Sequence, residues 1–240
     1  PFQGTRRAVY LMLAAIGCGW YNQDPAWHVI PSTPELLVGE LNQDLTPAFA
    51  SRWIWWPWTP QQRDPAAWGL VSVKPELEHN YAYMFPPEKY FADHPEYYAM
   101  VNGKRVSTGG QLNLANPEVI AISADLVVKF FKQHPEERIT YSLTANDCGG
   151  FDESPESKKL GNTPSEQSLA FANRVVTLAR KKVADAQVLF LAYWYTAGAP
   201  GNGAKAAPGV SVMVVNNTSK GHALSSSLSP GGADWVRNFD

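Results

Sequence analysis

Three carboxylates, Asp147, Asp152 and Glu153, fall close together in the stretch I-T-Y-S-L-T-A-N-D-C-G-G-F-D-E that runs from Ile139 to Glu153. Carboxyl groups brought near one another can divide acid–base work, one neutral and donating a proton, the other ionised and stabilising positive charge. Asp147 is the first choice for such a role because it follows directly on a strand. Glu153 is preferred over Asp152 as its partner for reach. Asn146 adds a carboxamide able to hydrogen-bond a hydroxyl or an amide. The same letters have a plainer reading: Asn-Asp before Gly-Gly is ordinary turn chemistry, and Asp152-Glu153 suits a solvated loop face.

The elements that position these groups follow from pattern. Ile139 to Thr144 alternate β-branched or apolar with polar side chains and then give way to glycines, which predicts a strand ending in an open loop. Loops at the carboxyl ends of parallel strands are where α/β proteins usually carry their chemistry. His79 heads a second extended stretch, Glu78 to Phe85, in which Tyr81, Tyr83 and Phe85 alternate. It offers an imidazole to a ligand hydroxyl or is simply a satisfied structural histidine. Tyr193 and Tyr195 close an apolar run from Val188 to Thr196. Strand alternation puts them on one face and Trp194 on the other. Trp55, with Trp58, lies in the β-prone run Phe49 to Trp58 and is a candidate stacking surface, with core packing as the alternative. His94, in H-P-E-Y, reads as structural.

Between these stretches the spacing predicts helices. Gly4 to Ile16 is closed by Gly17-Cys18-Gly19, followed by short strands near Trp20-Tyr21 and over Glu35 to Leu41. Asn116-Pro117-Glu118 opens a helix running to about Gln133, with Asn as N-cap. Its apolar face comprises Val119, Ile122, Leu126, Val127, Phe130 and Phe131. Ser165 to Lys182 forms the next, burying Leu169, Ala172, Val176 and Ala179. Gln111 to Leu114 and Val210 to Asn216 read as further strands.

Strands of continuous apolar character separated by helices imply a parallel sheet covered on both faces. Roughly six of them predict an α/β fold, a (β/α)8 TIM-type barrel cut off after the sixth strand, with residues 47–240 as its body. Residues 1–46 then read as the tail of a small α/β domain that precedes it. A doubly wound open sheet is the alternative, but no G-x-G-x-x-G or Walker glycine pattern follows any strand.

Composition excludes several classes. The formal charge of −2 is spread without a basic block, so nothing points to nucleic acid, and the apolar run Ala8 to Ile16 is too short to insert in a membrane. The two cysteines, Cys18 and Cys148, define no disulfide framework, and neither they nor the five histidines have metal-ligand spacing. Neither metal nor cofactor is expected, and no G-x-S-x-G elbow is present. Nine Trp, ten Tyr and ten Phe in a near-neutral chain suit carbohydrate recognition, since sugar C–H faces stack on rings, although most aromatics fill cores.

Longer motifs carry a resemblance. F-A-D-H-P-E-Y-Y-A-M-V-N-G-K-R over Phe91 to Arg105 and Q-L-N-L-A-N-P-E-V over Gln111 to Val119 are the main matches. They are joined by Asn146-Asp147, Ser165 through Asn173 and Leu191-Ala192-Tyr193. Together they resemble a family of secreted bacterial barrel proteins long labelled as a domain of unknown function. Characterised members are endo-β-N-acetylglucosaminidases acting on N-glycans. Gly4-Thr5 to Gly17 and Val29-Ile30-Pro31 are similar to the end of the α/β domain that precedes the barrel in this group, in α-glucuronidases and in β-hexosaminidases.

The resemblance implies an extracellular or periplasmic glycoside hydrolase of retaining type, able to use the acetamido group of an N-acetylhexosamine as nucleophile. A glycan or polysaccharide is then the partner, and oligomeric state is left open. Relatives often carry a Cys-x-Cys pair where this chain has Phe151-Asp152-Glu153-Ser154, with Cys148 earlier, so that part of the loop is built differently. Two alternatives stay open. One is an α-glucuronidase-like enzyme, for which Arg52 and Lys104 are the nearest basic candidates. The other is a glycan-binding barrel without catalysis.

Overall fold

The computed structural model describes residues 2–21, 25–33, 35, 37–42, 44–46, 67, 78–135 and 140–215. The chain forms two compact units, Pro1–Pro75 and Glu76–Asp240.

In the first unit, α1 (Phe2–Ala15) ends where Gly17 takes a φ of 93° and Cys18 N donates to Leu13 O, the left-handed stop that the Gly-Cys-Gly stretch predicts. β1 (Gly19–Trp20) pairs antiparallel with β2 (His28–Val29) across a short 3-10 turn at Pro25–Trp27. Tyr10 meets Trp20 edge to face. The described part of Glu35 to Leu41 is not a strand. The Phe49–Trp58 run lies outside the described residues.

The second unit opens differently from its alternating pattern. His79 makes a single parallel bridge to Thr144, and the chain then turns into α2 (Tyr81–Met84) rather than continuing extended. The reason is visible in what is buried: Tyr81, Met84 and Phe85 go inside at helical spacing, while Tyr83 is 76% exposed. α3 (Pro87–Tyr90) and a 3-10 turn at Pro95–Tyr97 lead to the hairpin of β3 (Met100–Val101) and β4 (Lys104–Arg105). Asn102 and Gly103, both with positive φ, make its turn, the Asn-Gly chemistry that tight hairpins favour. The stretch Gln111–Leu114 contributes only one bridge, Leu112 to Tyr98.

α4 (Pro117–Gln133) starts as its sequence dictates, with the Asn116 side chain accepting from Glu118 N and Val119 N. Its deepest face carries Val119, Ile120, Ala124, Val127, Val128 and Phe131, turned slightly from the predicted one; Ile122, Leu126 and Phe130 sit at the margin. β5 (Tyr141–Ser142) follows, then α5 (Pro155–Lys158) and α6 (Pro164–Arg180). α6 buries Leu169, Ala172, Val176 and Ala179 as predicted, and packs against α4. β6 (Val188–Ala192) and β7 (Val210–Val214) complete the described sheet.

The sheet is parallel and in chain order, β5-β6-β7, with Tyr141 opposite Val188 and Val188 opposite Val210. His79 adds a parallel contact on the far side of β5. No closed barrel forms among the described residues, and the described β6–β7 connection contains no α-helix. Below the sheet, Tyr81, Phe85, Tyr97, Tyr98, Leu112, Leu143, Phe171 and Phe190 share one apolar core with the buried faces of α4 and α6.

Candidate active site

Four residues after β5 the backbone leaves the sheet, and almost every polar group there is tied down. The buried Gln111 is the tie. Its Oε1 accepts from Asn146 N at 2.8 Å, and its Nε2 faces the carbonyls of Asn146, Cys148 and Gly149 at 3.0, 2.8 and 3.1 Å. The Asn146 carboxamide is engaged at both ends, accepting from Ala82 N and donating to Gly110 O. Gly150, at φ 64°, passes so close to Gly109 that a β-carbon would lie 2.6 Å from its carbonyl oxygen. Only glycine fits there.

Asp147 stands out against this background. Its side chain is 57% exposed, and among the described residues it accepts no hydrogen bond. Facing it, at 3.9 Å from Oδ1, is Nε2 of His79. The other ring nitrogen, Nδ1, lies 2.6 Å from Ala145 O. A carbonyl only accepts, so Nδ1 carries a proton; the neutral ring therefore presents Nε2 as an acceptor and the protonated ring presents it as a donor. Both members of the pair are set by the same strand end, His79 through its bridge to Thr144 and Asp147 through the loop that Gln111 fixes.

The pair lines two depressions open to solvent. A shallow one is lined by His79, Asp147, Phe151, Tyr193, Trp194 and Tyr195 among others. A larger one runs from the same His79 and Asp147 toward Tyr83, Ser107 and Gly109. The aromatic wall of the first departs from strand alternation. β6 stops at Ala192, and Trp194–Thr196 form a 3-10 turn closed by Thr196, whose Oγ1 accepts from Tyr193 N and lies 2.9 Å from Leu191 O. Turning the chain there brings Tyr193, Trp194 and Tyr195 to one cleft instead of dividing them between two faces.

Cys148 lines both depressions beside Asp147. Burial pushes its thiol above the ordinary value, and the neighbouring carboxylate adds to the shift because a thiolate there meets a like charge.

Asp152 and Glu153 do not line the Asp147 clefts. Asp152 is buried, paired with Arg105 at 3.1 Å, and accepts from Met100 N, Ser154 Oγ and Ser157 Oγ. Glu153 accepts from Asn102 N at 2.8 Å while its own N–H donates to Met100 O. Together they clamp the loop to the β3–β4 hairpin. Trp55 and Arg52 lie outside the described residues, and Arg105 and Lys104 do not line the depressions.

His94, Glu96 and Glu118 bring donor atoms within 4.8 Å of one another. Their described contacts are those of a fastened loop: His94 stacks on Tyr97 and meets Glu96 at 3.0 Å, and Tyr97 donates to Glu118. None of the three lines the cleft.

Sequence reasoning missed Gln111 and Trp194. An isolated glutamine carries no pattern, whereas Thr196 after three aromatics was a detectable signal, since threonine hydroxyls close local turns. Compared with known families, the chain matches a family described as "Domain of unknown function (DUF4838)" over residues 22–238. No curated protein and no solved structure matches it.

Proposed function

This chain belongs to the DUF4838 family, and from that premise we propose that it is a glycoside hydrolase acting on N-acetylhexosamine-containing glycans, working outside the cytoplasm, extracellular or periplasmic. The observation that carries the reading is Asp147. It is the one side chain of the 146–153 carboxylate loop left exposed and without a hydrogen bond from the described scaffold, beside His79 and three aromatic rings. Asp147 lines two depressions that share His79, and more than one subsite there suits a glycan that continues past the bond to be cut. The sequential parallel strand order is compatible with an incomplete (β/α) barrel, and the site lies at the carboxyl ends of those strands, where such folds place catalysis.

The proposed chemistry follows from what lines the cleft. Breaking a glycosidic bond builds positive charge on the sugar ring and requires a proton on the departing oxygen. One carboxylate, Asp147, lines the described cleft, which fits a reaction in which the substrate's acetamide oxygen attacks C1 as the C1–O bond breaks. Asp147 orients and polarises that acetamide, and protonated His79 delivers its Nε2 proton to the departing oxygen. Water then adds at C1, passing a proton to the now neutral His79 Nε2, and reopens the ring formed by the acetamide, which retains configuration. The α-glucuronidase-like alternative requires a cation for the uronate, and no Lys or Arg lines the cleft among the described residues.

The test is turnover of aryl β-N-acetylglucosaminides and of N-glycoproteins by the protein and by its Asp147→Asn variant. Removal of the carboxylate lowers kcat by about 10²–10³-fold, the range for one preorganised group that stabilises charge at the reacting atoms, while glycan binding persists. Glycan binding by the unaltered protein without turnover would instead identify a non-catalytic glycan-binding barrel.

A further inference from the structure

We propose that Trp194 and Tyr195 form a stacking platform that holds one pyranose ring of the substrate beside Asp147, an inference that rests on the glycosidase reading above. Trp194 has a φ of 51°, left-handed backbone that a bulky side chain adopts only against a steric penalty. The penalty is not offset by burial of the ring, which remains 62% exposed. A strained, exposed tryptophan is a poor bargain for stability, and such positions concentrate at ligand contacts.

What the strain achieves is geometric. The 3-10 turn swings Trp194 from the opposite face of the strand into the cleft of His79 and Asp147. There it lies nearly parallel to Tyr195, with ring centroids 4.8 Å apart and planes at 28°, while Tyr193 meets its edge. The Tyr195 ring is braced in turn. Phe151 lies 6.0 Å from it, and its hydroxyl sits where a β-carbon on Gly149 would come within 3.3 Å. Glycine at 149 thus leaves room for the platform to approach the loop that carries Asp147.

Tyr195 backs one face of the Trp194 indole, and the exposed ring offers its other face as a flat apolar surface, in the same depression that the Tyr195 phenol and the Asp147 carboxylate line. A pyranose has the matching character, C–H groups on its face and hydroxyls around its rim.

The experiment measures binding of the N-acetylglucosamine tetramer by calorimetry and saturation-transfer NMR, and its cleavage, for the unaltered protein, Trp194→Gly and Trp194→Phe. Glycine accepts the left-handed backbone freely, so Trp194→Gly removes the ring and the strain together. Its melting temperature is expected to equal or exceed that of the parent while its affinity falls about tenfold or more; Trp194→Phe keeps a flat ring and stays within about threefold. Unchanged affinity in Trp194→Gly overturns the platform, as does a lower melting temperature accompanying the loss, since the ring is then structural. Binding that depends on Trp194 without any cleavage leaves the platform standing and removes the hydrolase reading. A parent protein that neither binds nor cleaves the tetramer removes both.

Discussion

Replacing Gln111 with glutamate changes one atom type and reverses the electrostatics beneath the loop that carries Asp147. The amide Nε2 sits under three carbonyl oxygens, those of Asn146, Cys148 and Gly149. A carboxylate oxygen in its place has no proton to offer, and buried carbonyls without a donor are costly. Gln111→Glu is expected to lower unfolding free energy by about 2–4 kcal/mol in urea titrations, the scale of a broken buried network. It should also lower activity beyond any loss explained by unfolding, because Asn146 N reports to the same side chain and Asp147 follows it. Equal stability for the two proteins would mean that the loop is held by other means. The contrast with Asp152 and Glu153 makes the general point. Three acidic residues share one loop, yet two are consumed as acceptors for the hairpin at residues 100–105 and one is left facing the cleft. Residue type identified the group; the hydrogen-bond partners separated its members.

Long helices and the apolar strands of the parallel sheet were legible, short elements much less so, for a physical reason. α4 and α6 each bury one face over seventeen residues, so their period repeats often enough to be read, and each begins at a residue whose side chain replaces missing backbone partners. The run Tyr81-Ala82-Tyr83-Met84-Phe85 is too short for that. Three aromatics at alternate positions fit a strand, while the burial of Tyr81, Met84 and Phe85 fits a helical turn, and only the tertiary contact of Ala82 N with Asn146 settles it. The strand ending at Ala192 was likewise overrun because Thr196 stops it through a side chain rather than through a glycine or proline. The N-terminus of α6 holds a further detail that spacing missed. Thr163 and Glu166 form a reciprocal capping box, and the Glu166 carboxylate also receives the N–H of Asn162. The bond from Asn162, with that from the Thr163 backbone, holds its carboxyl below the usual range. Thr163→Ala should therefore cost about 1 kcal/mol in chemical denaturation, and Thr163→Ser should recover most of it. A loss of nothing would indicate that Glu166 alone secures the helix start.

Over the whole molecule, the parallel pairing of the described sheet could be anticipated because it follows from strands alternating with helices, whereas the ties between Gln111 and the loop, or between Asp152 and Arg105, join residues more than thirty positions apart and leave no periodic trace. The core that supports them buries three tyrosines, Tyr81, Tyr97 and Tyr98, and that gives the fold a pH response at high pH. Tyr98 is buried with its hydroxyl donating to Phe85 O, and burial pushes its pKa up to about 12. Tyr97 donates to Glu118, and that bond, with burial and the carboxylate charge, raises it to about 12 as well. Burial raises Tyr81 in the same direction. The sign of the effect follows from which state holds the proton. Below pH 10 these phenols are protonated in both states and contribute fully. As pH rises from 10 toward 12 the unfolded chain releases its protons while the folded core retains them, so unfolding is favoured progressively. Urea unfolding followed between pH 8.5 and 11.5 should show stability falling above pH 10, with each raised tyrosine adding about one proton to the slope. Tyr98→Phe, which keeps the ring and loses the ionisable group, is expected to flatten that slope by about one proton while lowering stability modestly at pH 8 through the lost bond to Phe85. A slope unchanged by Tyr98→Phe would mean that the ring opens to solvent before the chain unfolds, and that the core packing around residues 81–98 is looser than its contacts imply.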